Sequence, residues 1–238
     1  MTLSQACRVF SQHGIVGPCI QRNMAEALHY CVRAEKPKQP LLWLSTSSYE
    51  GAHLAQTFHA AHQILCPGPQ HFVSIHLEQF WQDNQLQTSY LTENKAACTS
   101  VYLHGLNAYA PKQRKKCWNA IQQFLAEQST PIWLLCAYPE KTLHPTERDV
   151  LQKLFPTPLK LPPLWQRHTD IDALITHYVH TQGLNQHATL KGFSLESIAH
   201  IHRAVVQTQK DTHALLAFLD QLIHQAHAGS LPTHEGFI

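Results

Sequence analysis

His177 and His180 stand three residues apart in a stretch with helical periodicity, a spacing that sets two imidazoles on one helix face and suits a metal such as zinc. His187, His200 and His202 follow downstream. No cysteine or carboxylate completes a recognisable ligand set, and a chain with 19 histidines produces such pairs by chance, so no metal is expected. Cys98 or Cys117 beside His104 would make a thiolate nucleophile with its base, if the fold brought them together. The seven cysteines (Cys7, Cys19, Cys31, Cys66, Cys98, Cys117 and Cys136) contain no C-x-x-C pair and are expected to be buried reduced thiols. The run from Lys112 to Lys116 reads as a solvated helix face, and a formal net charge of +2 supplies no field for nucleic acid, so direct DNA binding is not expected.

The elements that must position these groups follow from hydrophobic spacing. Ile20, Met24, Ala27, Leu28, Cys31 and Val32 predict an amphipathic helix over 18–35, ended by the Lys36-Pro37-Lys38-Gln39-Pro40 break. Leu41–Leu44, Phe72–Ile75, Ser100–Leu103 and Pro131–Cys136 are short apolar runs, expected as buried strands. Helices are expected between them, over Ala52–His62 and Lys112–Gln128. Strands alternating with helices predict a parallel, three-layered α/β sheet. Beyond residue 168 only helical segments remain, over 169–182, 194–208 and 211–228, with a break near Gly183 and Ser194 as an N-cap. The expected division is an α/β body over 1–168 and a helical lid over 169–238. Trp43, Trp118 and Trp133 are expected in the core.

No apolar run reaches the ~18 residues a membrane span requires, and no signal core follows the N-terminus, so a cytoplasmic protein that makes no membrane contact is expected.

The stretch Leu161-Pro162-Pro163-Leu164-Trp165-Gln166-Arg167-His168-Thr169-Asp170-Ile171 resembles the LPPLRER-x-x-DI segment of the AAA+ domain of sigma-54 activators, the bacterial enhancer-binding proteins, with Trp165 and Gln166 as departures. Gly14-Ile15-Val16-Gly17 is similar to that family's opening I-V-G, and Leu54-Ala55-Gln56-Thr57-Phe58-His59 to its L-V-A-R-A-I-H helix. Phe72-Val73-Ser74-Ile75-His76 is similar to its F-V-A-V-N strand, while Asp149 and Leu154 fall in its R-E-D-L-Y-Y-R-L segment. The resemblance covers about residues 14 to 235. It implies an AAA+ P-loop-type sheet with a C-terminal helical lid, and assembly into rings.

The family's chemistry is not matched. A phosphate loop needs G-x-x-x-x-G-K-[ST/E], whose backbone N–H groups close on the phosphates while the lysine neutralises them. Here Ser45-Thr46-Ser47-Ser48-Tyr49-Glu50-Gly51-Ala52 stands in register, with Gly51 at the lysine position and Glu50 bringing a carboxylate. Charge repulsion at ~4 Å is worth about 4 kcal/mol at an effective dielectric near 20. His104 and Gly105 replace the acidic pair that would hold Mg²⁺ and polarise water. The sensor asparagine falls at Pro139, the trans-acting arginines at Glu147 and Lys153, and the second sensor arginine at His213. The vestigial cleft is therefore expected from Ile15, Val16, Gly17, Ser48, Tyr49, Glu50, Gly51, His104, Gly105, Arg167 and His213. Trp165 is expected to fill space beside it or to face a partner. No GAFTGA loop is found between Ile75 and Ser100, and no helix-turn-helix is expected after the lid.

These residues predict a non-enzyme without a cofactor, a regulatory or scaffold protein that binds protein partners, either an active AAA+ relative or its own copies. Two alternatives stand beside it: a sensor holding another nucleotide or small ligand in the altered cleft, and a weak ATP-binding transcriptional regulator with displaced catalytic residues.

Overall fold

The computed structural model of the protein describes residues 3–33, 41–44, 48–65, 70–83, 85–89, 98–127, 132–138, 144–155, 159–181 and 191–227. Along the chain run α1 (Leu3–Gln12), α2 (Pro18–Arg33), β1 (Leu41–Leu44), α3 (Ser48–Leu65), β2 (Gln70–His76) and the one-turn α4 (Leu77–Phe80). A short hairpin, β3 (Trp81–Gln82) with β4 (Gln85–Leu86), is followed by β5 (Cys98–His104), α5 (Pro111–Glu127), β6 (Ile132–Ala137), α6 (Pro145–Leu154) and β7 (Leu159–Lys160). Three helices follow, α7 (His168–Thr181), α8 (Leu195–Thr208) and α9 (Thr212–His227). Among the described residues no helix is long and apolar enough to cross a membrane.

The chain divides into two compact units, Met1–His13 with Asn23–Leu161 and Gly14–Arg22 with Pro162–Ile238. The division drawn at residue 168 from sequence thus falls at Leu161, and the segment Gly14–Arg22 goes with the helical unit.

In the first unit the sheet is parallel, in the order β2-β5-β6-β1-β7. Successive side chains of a strand point to opposite faces, so each inner strand must satisfy two layers. Val101, Leu103, Leu134 and Cys136 pack with Cys117, Trp118 and Ile121 of α5 and Val150, Leu151 and Leu154 of α6. Their alternates face α3: Trp133 meets Phe58 and His62 with ring centres 6.2 and 4.1 Å apart, and Ser100 bonds His59 at 2.9 Å. Three layers result. Trp118 and Trp133 are both buried, as their apolar surroundings in the sequence suggest.

α5 and α6 are joined by a buried ion pair. Arg114 donates through Nε and Nη2 to the two carboxylate oxygens of Glu147, each at 2.7 Å, and through Nη1 to Tyr109 O at 2.9 Å. Its guanidinium also lies 5.3 Å from the centre of the Tyr138 ring. Lys112, Lys115 and Lys116 are solvated, but Arg114 in their midst is buried, which corrects the reading of that run as wholly exposed. α1, α6, β7 and the hairpin are elements that periodicity did not suggest, and α3 starts at Ser48 rather than near Ala52.

His59 gives the α3 layer a sensitivity to acid. His59 is 8% exposed, stacks 5.3 Å from Phe72 and bonds Ser100. Burial first, then the neighbouring His62 and His71, hold its pKa down at about 4 against an ordinary 6.5. A depressed pKa means that the folded state refuses a proton the unfolded chain accepts. Its stabilising contribution is therefore complete above pH 6.5 and is lost as pH falls from 6.5 to about 4. The expected loss is about 3 kcal/mol. Urea unfolding at pH 7 and pH 4.5 measures it, and His59→Gln should narrow the difference between the two.

The helical unit closes on Ile171, Ile175 and Tyr178 of α7, Ile201 and Val205 of α8, and Leu215, Leu219 and Ile223 of α9, spaced three and four apart on each helix. Tyr178 Oη donates to Asp220. Ser194 caps α8 by accepting from Ser197 N at 3.2 Å, as its residue type suggests. Trp165 packs, partly buried, against this helical core.

Candidate functional site

The parallel sheet dictates where a ligand would sit. β1 leads through α3 to β2 on one side, whereas β6 leads through α6 to β7 on the other, so the connections diverge between β1 and β6. Ligands in open α/β sheets bind outside the strand ends at such a divergence. α3 begins there.

That position is filled by the protein itself. A Cβ on Gly51 would fall on Ala137 Cβ at the end of β6 and lie 2.7 Å from Tyr102 Oη of β5. Only a residue without a side chain allows so close an approach of helix to sheet. Glu50 is buried in the first turn of α3, where a carboxylate suits the positive end of the helix. The side chains of Ser48 and Tyr49, like Pro139, lie outside the described residues.

Tyr102 and His104 stand two apart on β5 and share its α3 face, their rings stacked with centres 5.7 Å apart. His76, directly opposite His104 in the ladder, meets it edge to face at 5.1 Å. Burial and the neighbouring His76 push the His104 pKa down, and burial pushes the Tyr102 phenol up. Gly105 turns the chain at φ +77, with the His76 ring in the place of a Cβ. His76 Nδ1 accepts from Glu78 N at 3.3 Å and lies 3.6 Å from the Glu78 carboxylate. The strand ends thus present imidazole and phenol rings. Cys117 lies on α5, which packs on the other face of the sheet, and burial raises its thiol to about 12, so it supplies no thiolate for His104. The Cys98 side chain is outside the described residues.

The remaining cleft residues belong to the helical unit. Asp170, fully buried, accepts from Cys19 N at 2.7 Å and Ile20 N at 3.1 Å in the first turn of α2, and from Arg167 Nη1 at 3.0 Å. Arg167 Nε donates to Pro162 O at 2.8 Å. Gly17 is required because the Asp170 carboxylate stands where its Cβ would be. Ile15 is buried and Val16 partly so, and Gln21 donates to Ile15 O. Arg167 is therefore committed to an internal carboxylate. His213 is exposed at the start of α9.

Glu147 is wholly internal, paired with Arg114, while Lys153 is exposed. His177 is half-buried and His180 exposed; His187 and Gly183 lie outside the described residues. His202 Nε2 pairs with Asp172 at 2.7 Å and stacks on His168 at 5.9 Å. Among the described residues no group of three His, Cys, Asp or Glu could hold a metal ion. Cys117 and Cys136 are buried thiols, but Cys7 and Cys19 are only partly buried, which corrects the expectation for those two. Sequence reasoning missed Tyr102, Ala137 and Asp170. Tyr102 carried a signal, since it stands two residues before His104 on one strand face.

No protein-family model and no curated protein matches the chain. Solved structures do. The Orc1 protein of Aeropyrum pernix in complex with DNA aligns over 87% of this chain and 59% of its own, at 13% identity and a TM-score of 0.54. NtrX of Brucella abortus in complex with ATP aligns over 92% and 51%, at 13% identity and a TM-score of 0.55. This chain spans between half and three-fifths of the length of those proteins. At such identity the likeness is one of architecture, and the chain shares the α/β fold of those proteins.

Proposed function

We propose that this chain is a non-hydrolysing AAA+-type domain, a degenerate relative of the sigma-54 activators, that acts in the bacterial cytoplasm as a regulator or scaffold by binding protein. The observation that carries the reading is the contact of Gly51 with Ala137 and Tyr102. A triphosphate and its lysine need that volume. Imidazoles at the strand ends supply no oxygen ligands for Mg²⁺, and Arg167 is neutralised internally by Asp170. The similar NtrX structure is a complex with ATP, so a nucleotide is the natural ligand to test.

Calorimetric titration with Mg²⁺-ATP, ADP and cyclic dinucleotides should give no saturable heat, and phosphate release should stay at the buffer rate. Gly51→Lys should remain unable to bind ATP and should melt lower, because overpacking a tight contact costs about 1–3 kcal/mol. Saturable ATP binding by the unaltered chain would overturn the proposal. Binding of a cyclic dinucleotide alone would favour the sensor, and phosphate release abolished by Lys153→Ala would favour a weak ATPase.

A further inference from the structure

We infer that α8 is a self-association surface through which two copies of this chain pair, α8 against α8 in antiparallel orientation. The inference rests on the proposal that the chain acts by binding protein, and it names the partner as a second copy. Leu195, Ala199 and Val206 fall within one narrow stripe of the helix at 100° per residue. Leu195 is 86% and Val206 39% exposed, the large apolar side chains open to solvent among the described residues, and Ala199 between them is exposed as well. Single exposed apolar residues are ordinary on any surface. A stripe flanked by its own charge complement is not.

Glu196 and Arg203 provide that complement. Both are exposed, and both lie on the same flank of the stripe, seven residues apart. That separation is roughly 10 Å along the axis, too far for them to bond each other. Neither makes an ion pair among the described residues, and Arg203 Nε reaches only Ala199 O at 3.4 Å. In an antiparallel helix pair, like flanks face each other. A two-fold axis therefore brings Glu196 of each copy to Arg203 of the other and makes both ion pairs at once. The axis passes between Ala199 and His200, where the small alanine side chain permits close approach of the helices. The other edge of the stripe is fixed by the His202 pair with Asp172, which ties α8 to α7 and leaves the stripe outward.

Sedimentation velocity on the full chain, over a concentration series at low and at physiological salt, tests the pairing. The unaltered protein should pass from monomer to dimer as concentration rises. Glu196→Arg and Arg203→Glu should each raise the midpoint about tenfold, and the double variant should return to within about threefold of the original. Circular dichroism melts establish that each variant is folded. A chain that stays monomeric throughout overturns the inference, as does an assembly whose midpoint ignores both single reversals. Either result leaves the nucleotide titrations untouched, so failure here is distinct from failure of the proposed function.

Discussion

Glu147→Ala should lower the stability of the α/β unit by about 3–5 kcal/mol, which for a chain of this size is a fall in melting temperature of roughly 10 °C. The reason is not the lost attraction alone. Arg114 is 6% exposed, and a guanidinium is too basic to give up its proton at ordinary pH, so it cannot shed its charge when the carboxylate is removed. A guanidinium without its carboxylate is left between α5 and α6, with Tyr109 O and the Tyr138 ring still beside it. Removing both charges is a different experiment. The double variant Arg114→Met, Glu147→Leu fills similar volume without a buried ion, and should recover most of the loss. A double variant as unstable as Glu147→Ala would mean that the pair matters through packing.

Asp170→Ala should cost a similar 3–5 kcal/mol in the helical unit, through two losses at one residue. The N–H groups of Cys19 and Ile20 lose the Asp170 carboxylate as acceptor, and Arg167 keeps a buried positive charge without that carboxylate beside it. Asp170→Asn should fall between the two, since an amide oxygen still accepts but no longer balances the guanidinium. Amide hydrogen exchange separates this from general loosening: protection should vanish first at Cys19 and Ile20, in the opening turn of α2. Unchanged exchange at these two amides, alongside a lower melting temperature, would contradict the capping role.

Much of this arrangement was legible before any coordinates, and the limits have a physical cause. β2, β5 and β6 could be read from short apolar runs, and α5 and α7 to α9 from spacings of three and four, because both signals are local. α6 was obscured by its charge, yet its buried residues Glu147, Val150, Leu151 and Leu154 keep helical spacing. Arg114, Cys117, Trp118 and Ile121 repeat the pattern on α5. In each helix an ion stands at the head of the apolar stripe, a sign that the two belong together. A glycine at 51, where the resemblance expects a lysine, was visible, but the atoms that occupy the space come from β5 and β6, far along the chain. No local pattern reports where the hydroxyl of Tyr102 ends. The packing of Trp165 was hidden for the same reason: the helices its turn packs against, α7 and α8, lie beyond it in sequence.

The contact between Gly51, Tyr102 and Ala137 also constrains what mutation can do to this lineage. A lysine at 51 collides while tyrosine remains at 102; a smaller residue at 102 leaves a void while glycine remains at 51. Each step towards a phosphate seat is harmful before the others are taken. A descendant of this chain therefore faces a valley between its present packing and one with a side chain at 51, and drift by single substitutions leads away from the crossing.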